Sequence, residues 1–585
     1  MLNLKHGGHV LASDAKGADE AAKKTGAVIM AAGERPTETP FDYLFPQLEG
    51  KPDAHLQGTP AQVVAALKAL GSAMVDSAPP SATDPKVQVN STIPTIYTYW
   101  GQFIDHDTTA NTDRDSKVSD ITRPDLKPVP PAEVTKLLKN LRRPNLDLDS
   151  VYGNGPALMD KHFNDDGMYD GPRFRLGTNA DSPGIPGVKI PPEADLHRDL
   201  PRIGPLLDAG VITMDDVPVS LRTDPNLRTR AFVGDLRNDE NLIVAQFHTA
   251  VLRFHNKVVD RLAKRDIGPK VLFRRAQKLT RFHYQWLVVQ DYLRTVTAPG
   301  VVDKVLTGGL KHYHPLNGHE LFMPLEYSVA AFRFGHSMVR GGYDHNRNFG
   351  KPGNVLPFAS FNQLFLFTGN GFQLDPADPT KSKRNPFLGQ PTLPFNWIIE
   401  LDRFTNKADP DEGHFARKID TRIVPPITQM VNEGTGAGIQ DDAGKPIREL
   451  LRHLGQRNLV RGYLLSIPTG QAVAAELGVV PLSEAELQQG NAPAVNEALA
   501  LGGFLEHTPL WYYVLKEAEV RANGNTLGEV GSRIVCETII GVLRNDPDSY
   551  LNDPTGWDPS DGVTLPNGDP ITTIRDFLSF TGVPV

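Results

Sequence analysis

Apolar residues recur at steps of three and four along several stretches of the chain, which is the spacing of one face of an α-helix. In the stretch 241–265, Val244, Phe247, Val251 and Phe254 follow this spacing. It predicts further helices over 59–75, 96–109, 272–296, 324–340, 446–463 and 527–545. Alternation of apolar and polar residues, which would indicate strands, is scarce. The pattern predicts a mainly α protein.

The segments between these helices are long and rich in turn-forming residues. The 585 residues include 52 glycines and 49 prolines, and irregular connections are predicted over 164–205, 341–357, 369–393 and 553–571. Residues 1–40 lack apolar periodicity and predict a mobile N-terminal arm. Residues 41–585 show no composition break and no internal repeat. They predict a single large helical domain with long loops and little β structure.

Charge and composition exclude several classes of partner. The net charge is −8 and no block of Lys or Arg occurs, so we expect neither nucleic acid nor an anionic membrane as a partner. No run approaches the roughly 20 apolar residues that span a bilayer. The first residues lack the apolar core of a secretory signal, which predicts a soluble protein that is cytoplasmic or exported without a cleaved signal. The oligomeric state is left open.

The single cysteine, Cys536, lies in the apolar run "RIVCETIIGVL". One cysteine excludes a disulfide scaffold and a zinc site built on thiolates. We interpret Cys536 as a small buried apolar side chain.

The segment "IYTYWGQFIDHDTT" (96–109) combines an apolar helical pattern with three consecutive polar residues, Asp105, His106 and Asp107. Neighbours on a helix are about 100° apart, so these side chains point in three directions. Gln102 lies one turn before His106 and shares its face. Charged groups are rarely buried without partners, which indicates a functional helix; a hydrogen-bonded core histidine is the alternative.

Two further helical patterns carry polar pairs at a spacing of three. Arg237 and Glu240 follow a helix start that Asp235 or Asn238 can cap; the alternative is a carboxylate favoured by the helix dipole beside a solvated arginine.

The pair Arg333 and His336 lies in "MPLEYSVAAFRFGHSMV", which opens with Pro324 at a good first-turn position. Gly335 leaves room beside His336 for a flat, bulky group. A core histidine is the alternative here.

Two last pieces complete the set of candidates. Asn458 and Arg461 lie three apart in "RNLVRGYLLSIP". Asp147 and Asp149 alternate with leucines in a turn-rich segment, which suits Ca²⁺ because this ion takes six to eight oxygen ligands; a solvated acidic loop is the alternative.

Together these pieces resemble a known family. "YWGQFIDHD", "LDLDSVYG", "GDLRNDENLIVAQFHTAVLRFHN", "AFRFGHSMV" and "RNLVRGYLLSIP" occur in the order found in the animal-type haem peroxidases, a branch of the peroxidase–cyclooxygenase superfamily. The resemblance spans roughly residues 95–470. In the absence of disulfides and of a signal peptide, the chain is more similar to a bacterial branch of that family than to its secreted animal members.

The resemblance implies a haem b site with two sides. His106 would be the distal histidine with Gln102 beside it, and Arg237 the distal arginine. His336 would be the proximal ligand of the haem iron, and Asn458 would accept its other ring N–H. The resemblance implies propionate contacts at Arg333 and Arg461, and possible ester bonds to haem methyl groups at Asp105 and Glu240.

The resemblance also implies a calcium site. Asp107 would point away from the haem and bind Ca²⁺ together with Asp147 and Asp149. The family has a threonine where this chain has Arg143, so one side-chain oxygen is lost. The carbonyl of Arg143, the carbonyl of Asn145 or a water would replace it.

The implied activity is reduction of H₂O₂ with heterolytic O–O cleavage and oxidation of a halide, thiocyanate or small aromatic donor, a reaction that fits a response to oxidative stress. The first alternative is a fatty-acid oxygenase on the same fold. Those enzymes carry a tyrosine three residues before the proximal histidine, where this chain has Arg333, and Tyr327 is at the wrong spacing. The second is a binding scaffold, which would have lost His106 or Arg237. The third is a haem-free metalloprotein that uses His312, His314 and His319.

Overall fold

The computed structural model describes residues 4–5, 9–10, 39–76, 89–110, 120–123, 125–153, 156, 167–182, 187–189, 196–217, 219–224, 227–263, 267–350, 355–369, 372–375, 378–384, 392–405, 414–430 and 444–585. The arm predicted for residues 1–40 lies outside the described residues, apart from 4–5, 9–10 and 39–40. That arm and the extent of the domain stay predictions.

Helices dominate the described residues. The α-helices are α1 (Pro60–Ala73), α2 (Ile96–Thr108), α3 (Pro131–Leu137), α4 (Asp149–Tyr152), α5 (Ile203–Asp208), α6 (Leu242–Leu262), α7 (Pro269–Leu287), α8 (Leu293–Val296), α9 (Val301–Gly308), α10 (Leu325–Val329), α11 (Asp402–Thr405), α12 (Lys445–Arg452), α13 (Leu454–Leu464), α14 (Gly470–Glu476), α15 (Glu484–Gln488), α16 (Pro493–Leu501), α17 (Leu510–Ala522), α18 (Glu529–Asn545) and α19 (Ile574–Phe580).

Tighter and wider helical turns join several of these. One π-helical turn, Val288–Tyr292, makes α7 and α8 continuous. The 3₁₀-helices are Pro46–Leu48, Pro52–Ala54, Val219–Leu221, Leu227–Thr229, Leu236–Asp239, Ala331–His336, Phe361–Phe365, Phe395–Trp397, Pro425–Thr428, Tyr550–Asn552 and Pro559–Asp561.

Strands are short and pair in twos and threes. They are β1 (Leu4–Lys5), β2 (His9–Val10), β3 (Thr39–Asp42), β4 (Asn90–Pro94), β5 (Lys139–Asn140), β6 (Tyr169–Asp170), β7 (Arg173–Phe174), β8 (Met323–Pro324), β9 (Gly342–Tyr343), β10 (Phe349–Gly350), β11 (Leu356–Pro357), β12 (Ala359–Ser360), β13 (Phe372–Asp375), β14 (Asp378–Arg384) and β15 (Phe415–Arg417). β3 lies between β5, which is antiparallel to it, and β8, which is parallel. The prediction of a mainly α fold with little β structure is confirmed.

Within the core, α6 lies against both α2 and α7. Phe247 of α6 meets Phe103 of α2 edge to face, with ring centroids 5.0 Å apart. Asn241 caps α6 by accepting the N–H of Val244 over 3.1 Å. Cys536, in α18, is buried as predicted.

Two of the predicted helices are wrong in detail. The pattern over 446–463 belongs to two helices, α12 and α13, that meet at His453. In 324–340, α10 ends at Val329, and after Ala330 (φ −130°, ψ −78°) the chain continues as the 3₁₀-helix Ala331–His336. Apolar spacing over such short segments does not distinguish an α-helix from a 3₁₀-helix, and it does not mark the break between two consecutive helices.

Two local predictions also change. The stretch 369–393, predicted as irregular, contains the antiparallel pair β13 and β14. Asp235, one of the two predicted caps, accepts the N–H of Arg237 over 2.9 Å at the start of a 3₁₀-helix, and Asn241 caps the α-helix that follows.

Candidate active site

α2 presents Gln102 and His106 on one face, as the spacing predicts. His106 is buried, and its Nδ1 lies 2.9 Å from Asn238 Oδ1. Because an amide oxygen only accepts, His106 donates from Nδ1, and its Nε2 is left as the acceptor. Asn238 is therefore a site residue that sequence reasoning considered only as a helix cap.

The electrostatics keep the His106 imidazole neutral. Burial lowers its pKa to about 3, and the charge of Arg237 acts in the same direction, against the opposing charges of Asp235 and Asp105. A neutral imidazole with one unprotonated ring nitrogen can take a proton from a bound molecule and return it.

Arg237 is held from two sides. Its Nη2 donates to the carbonyl of His106 over 2.8 Å and to Asp235 Oδ2 over 2.7 Å. The same carboxylate accepts from Arg142 Nη2 over 2.6 Å. Its two arginine partners overcome the effect of burial and hold the pKa of Asp235 well below its usual range. Asp235 therefore positions the guanidinium, a role that sequence reasoning did not assign to it.

Gln102 connects the face of His106 to the start of α6. Its Nε2 donates to Glu240 Oε2 over 3.5 Å, and its Oε1 accepts from Asn241 Nδ2 over 3.0 Å. Asp105, one position before His106, accepts a hydrogen bond from Thr109 Oγ1 over 2.7 Å. Gln102 and Glu240, predicted to serve one site, are thus in contact.

The opposite side of the site is the 3₁₀-helix that ends at His336, and α2 packs directly against this helix. Residues three apart in a 3₁₀-helix eclipse each other, so Arg333 and His336 share one edge. Arg333 is anchored through its Nε, which donates to the carbonyl of Ser328 over 2.9 Å. Arg333 and His336 therefore lie side by side, as predicted, although the helix that carries them is a 3₁₀-helix and not an α-helix.

Asn458 of α13 contacts His336, with Asn458 Nδ2 placed 2.9 Å from His336 Nδ1. The amide nitrogen therefore faces the ring, whereas the sequence-based expectation was the amide oxygen. Rotation of the amide by 180° exchanges the two atoms without moving the rest of the side chain.

Space is open beside these residues. A Cβ atom added to Gly335 or to Gly462 would meet no other heavy atom within 4 Å. Gly335 directly precedes His336, and Gly462 directly follows Arg461. Both glycines thus border an unfilled space next to the candidate ligand and the candidate propionate contact.

Two arginines bring positive charge to this region. Burial lowers the pKa of Arg333 to about 10 and that of Arg461 to about 10, opposed in each by the charge of Asp105. Both guanidinium groups therefore stay protonated at neutral pH. They fit a ligand that carries carboxylates.

On the far side of α2, the carboxylate oxygens of Asp107, Asp147 and Asp149 all lie within 4.8 Å of one another. Asp107 is fully buried and accepts hydrogen bonds from Leu148 N over 3.2 Å and from Ser150 Oγ over 3.1 Å. Leu148 adopts a φ of 61°, in the left-handed region that is costly for a branched side chain. The loop is bent around Asp107.

The charges of this acidic cluster are only partly compensated. Burial, followed by the charges of Asp149 and Asp147, raises the pKa of Asp107 well above its usual range. Burial, with the charge of Asp147, raises the pKa of Asp149 to about 7 against the opposing charge of Arg142. Asp149 Oδ1 is buried and has no hydrogen-bond partner among the described residues. These features fit a divalent cation.

Arg143 and Asn145 do not add an obvious ligand to this cluster. The Arg143 guanidinium forms an ion pair with Asp147, so it brings a positive charge to the place where the family's threonine would offer an oxygen. The carbonyl of Asn145 accepts from Gln285 Nε2 over 3.1 Å.

The histidine loop does not gather into a site. His314 Nε2 lies 3.2 Å from the carbonyl of Lys311, and His319 Nδ1 lies 2.9 Å from that of Asn317. Within the described ranges, the aspartate cluster is the one group of three or more His, Cys, Asp or Glu side chains close enough to share a metal.

Comparison with known sequences decides the family. Residues 210–370 match the sequence model of the animal haem peroxidase family, and this range includes Arg237, Glu240, Arg333 and His336. This segment of the chain belongs to the animal haem peroxidase family.

Two curated relatives agree with this membership. One is a peroxidase-like protein of Margaritifera margaritifera, 25% identical over 275 residues, which are 44% of this chain and 33% of that protein. The other is myeloperoxidase of Mus musculus, 24% identical over 292 residues, 46% of this chain and 39% of that protein. The chain thus matches between a third and two fifths of the length of these relatives.

The fold agrees as well. Peroxidase A from Dictyostelium discoideum superposes with a TM-score of 0.50 and 16% sequence identity over 88% of this chain and 89% of that one. Among the described residues, no helix is both long and apolar enough to cross a bilayer.

The residues present fit the haem group that the family name implies. His336 offers a ring nitrogen, Arg333 and Arg461 offer two cations, and Gly335 borders open space. The candidate base, His106, lies on the helix that packs against the 3₁₀-helix of His336.

Proposed function

We propose that this protein is a haem-dependent oxidoreductase that reduces H₂O₂ and oxidises a small donor such as a halide, thiocyanate or a small aromatic molecule. Family membership supports haem and oxidoreductase chemistry. The single observation that carries the peroxide assignment is the pair His106 and Arg237, a neutral buried imidazole hydrogen-bonded through its backbone to a fixed guanidinium.

His336 would hold the haem iron through Nε2, with Asn458 fixing the ring from Nδ1. Bound haem b supplies the redox-active iron that exchanges electrons with the peroxide and with the donor. Arg333 and Arg461 would pair with the two propionates. Asp105 and Glu240 are the carboxylates available for ester bonds to the haem.

On the distal side, His106 Nε2 would take the proton of the oxygen that attacks and return it to the oxygen that leaves. Arg237 would stabilise the negative charge that develops as the O–O bond breaks, because its hydrogen bonds to Asp235 and to the His106 carbonyl fix it in place. Gln102, held between Glu240 and Asn241, would orient a water or the peroxide beside His106.

Asp107, Asp147 and Asp149 would bind Ca²⁺, with the carbonyls of Arg143 and Asn145 or water completing the shell. The ion would tie α2 to the loop over 143–149 and has no redox role. Its proposed function is to hold the helix that carries His106.

A fatty-acid oxygenase is the second candidate, and one residue argues against it. Arg333, with its Nε bonded to the carbonyl of Ser328, occupies the position that such an enzyme needs for a tyrosine. Tyr327 stacks on Phe332 with ring centroids 4.5 Å apart and is fully buried. The peroxidase assignment is therefore preferred.

The test is an absorption spectrum of haem-reconstituted protein before and after equimolar H₂O₂. We expect a Soret band that shifts rapidly on addition of peroxide. His336→Ala should lose the band, whereas His314→Ala, which changes an exposed histidine of the Pro/Gly loop, should keep it. Protein that stays colourless after reconstitution, or a Soret band indifferent to peroxide, would contradict the proposal. Oxygen uptake with an unsaturated fatty acid would favour the second candidate.

A further inference from the structure

A buried aromatic cluster lies behind α2, the helix that carries His106. Its members are Tyr97 and Trp100 of α2 and Tyr292 of the π-helical turn, none of them more than 1% exposed. The ring centroids are 5.6 Å apart for Tyr97 and Trp100, 5.2 Å for Trp100 and Tyr292, and 6.2 Å for Tyr97 and Tyr292. Tyr97 precedes His106 by about two and a half helical turns, so it faces away from the proposed haem site.

Tyr292 connects this cluster to the haem side. Its hydroxyl lies against Gly101, where an added Cβ would come within 2.3 Å of the hydroxyl oxygen. Burial, followed by the charge of Asp105, raises the pKa of Tyr292. The cluster therefore begins next to the carboxylate proposed to meet the haem edge and ends at Tyr97.

The hydroxyl of Tyr97 has a base within hydrogen-bond distance. Its hydroxyl donates to Asp291 Oδ1 over 2.6 Å. The other carboxylate oxygen accepts from Ile574 N over 2.6 Å, at the start of α19. The π-helical turn places Asp291 directly before Tyr292, so one short segment supplies both the stacking ring and the carboxylate. Such turns are frequent at functional sites.

Two other buried aromatic groups differ from Tyr97 in their hydrogen-bond partners. Trp100 Nε1 is buried and has no acceptor in the described part of the chain. Tyr313, another buried tyrosine, donates to the carbonyl of Phe322 over 2.9 Å, and a carbonyl cannot take up a proton at neutral pH. Loss of an electron from either ring would leave a positive charge in the core, which is costly without a partner.

We infer that Tyr97 is a redox-active residue, oxidised through Tyr292 by the peroxide-oxidised haem, with Asp291 as the acceptor of its proton. The inference rests on the proposed function. One electron leaves the phenol, its O–H bond breaks, and the proton passes to Asp291 Oδ1. The products are a neutral phenoxyl radical and a neutral carboxylic acid. H₂O₂ is the terminal oxidant: its reduction to two waters takes two protons from solvent and two electrons, one from Tyr97 and one from the haem.

The assigned role is that of a second oxidation site, used when no donor occupies the haem pocket. When a donor later reaches the protein, it returns one electron to the radical, and Asp291 returns the proton to the phenolic oxygen. Burial raises the pKa of Tyr97, so the resting residue is the protonated phenol that this cycle requires.

The test is electron paramagnetic resonance of the haem-loaded protein, frozen shortly after equimolar H₂O₂ is added without a donor. The wild type should give a tyrosyl signal. Tyr97→Phe should reduce this signal per haem by about tenfold or more, since the remaining rings must carry an uncompensated charge. Asp291→Asn keeps an acceptor oxygen but removes the base, and should reduce the signal similarly. Tyr313→Phe is the matched control and should retain it.

Two outcomes overturn the inference in distinguishable ways. A wild-type Soret band that shifts with peroxide, without a tyrosyl signal or with one unchanged in Tyr97→Phe, overturns the inference alone. A Soret band that does not respond overturns the proposed function with it. If Tyr97→Phe fails to fold, Asp291→Asn decides: a reduced tyrosyl signal supports the inference, and an unchanged signal contradicts it.

Discussion

Arg237 Nη2 donates a hydrogen bond to the backbone carbonyl of His106 over 2.8 Å, so the guanidinium is attached to the helix that carries the proposed base. The two groups thus hold a fixed relative position before any substrate enters. Preorganised charge of this kind needs no rearrangement when negative charge develops on the substrate.

Arg237→Lys should therefore slow the reaction with peroxide. An ammonium group cannot reproduce the contacts of the planar guanidinium to both Asp235 and the His106 carbonyl. We expect the second-order rate of the Soret change, measured by stopped flow, to fall by about 10²–10³-fold. Arg228→Lys, which alters an exposed pair with Asp208, is the control. A rate equal to wild type in Arg237→Lys would exclude Arg237 from the chemistry.

Asn458→Asp should lower the reduction potential of the bound haem iron. A carboxylate accepts the His336 Nδ1–H more strongly than an amide does and makes the imidazole a better donor. A gain of about 1 kcal/mol corresponds to about 40 mV for one electron, which spectroelectrochemistry resolves. An unchanged or raised potential would mean that Asn458 does not contact the ligand histidine through that proton.

Arg143→Thr should increase the affinity for Ca²⁺. The variant removes the guanidinium that pairs with Asp147 and offers a hydroxyl oxygen instead. Calorimetric titration should give a lower Kd than for wild type. If free calcium reaches about 100 Kd, the stabilisation is about 2.7 kcal/mol and appears as a higher melting temperature than in EDTA. Equal shifts in variant and wild type would contradict the prediction.

The same site should bind calcium more tightly as pH rises. The pKa of Asp149 is raised to about 7 in the metal-free protein, so below that pH a proton must leave before the ion binds. Affinity in the wild type should increase from about pH 6 to about pH 8, by at most about tenfold per pH unit below the pKa. A pH-independent Kd would contradict this assignment.

Gly335→Ala should reduce haem uptake without changing the stability of the haem-free protein. The added methyl group meets no heavy atom of the protein within 4 Å, so the free energy of unfolding without haem should stay within about 1 kcal/mol of wild type. If haem lies against this position, uptake measured from the Soret band should fall. Gly308→Ala, at a position equally open but distant in sequence, is the control and should take up haem normally.

The buried carboxylate of Glu326 should make the free energy of unfolding depend on pH. Its carboxylate accepts from Leu44 N over 2.8 Å and from Phe45 N over 3.2 Å, and burial raises its pKa to about 7. Because the folded state holds the proton more tightly than the unfolded state, the contribution of this group falls as pH rises from about 4.5 to about 7, by at most about 3 kcal/mol. The wild type should lose more stability over this range than Glu326→Gln; denaturant unfolding at both pH values measures the difference.

Much of the fold and of the site could be predicted from the sequence. α2, α6 and α18 begin and end close to their predicted limits because each is long and has a clear apolar face. Spacing also placed Gln102 beside His106 correctly. The 3₁₀-helix before His336 could not be predicted, because apolar spacing over six residues does not distinguish a 3₁₀-helix from an α-helix. Asn238 was missed as a partner of His106 because the two lie 132 residues apart and meet only in the folded chain.

The ion pair of Arg143 with Asp147 bears on how the acidic loop responds to the calcium concentration of its surroundings. A positive charge on a side chain cannot diffuse away, so its effective concentration beside the acidic loop is the same in any surrounding medium. A free ion is present only in proportion to its supply. The tethered cation thus lets the loop behind α2 keep a share of its charge balance in calcium-poor surroundings, where a loop that relies on metal alone would lose it.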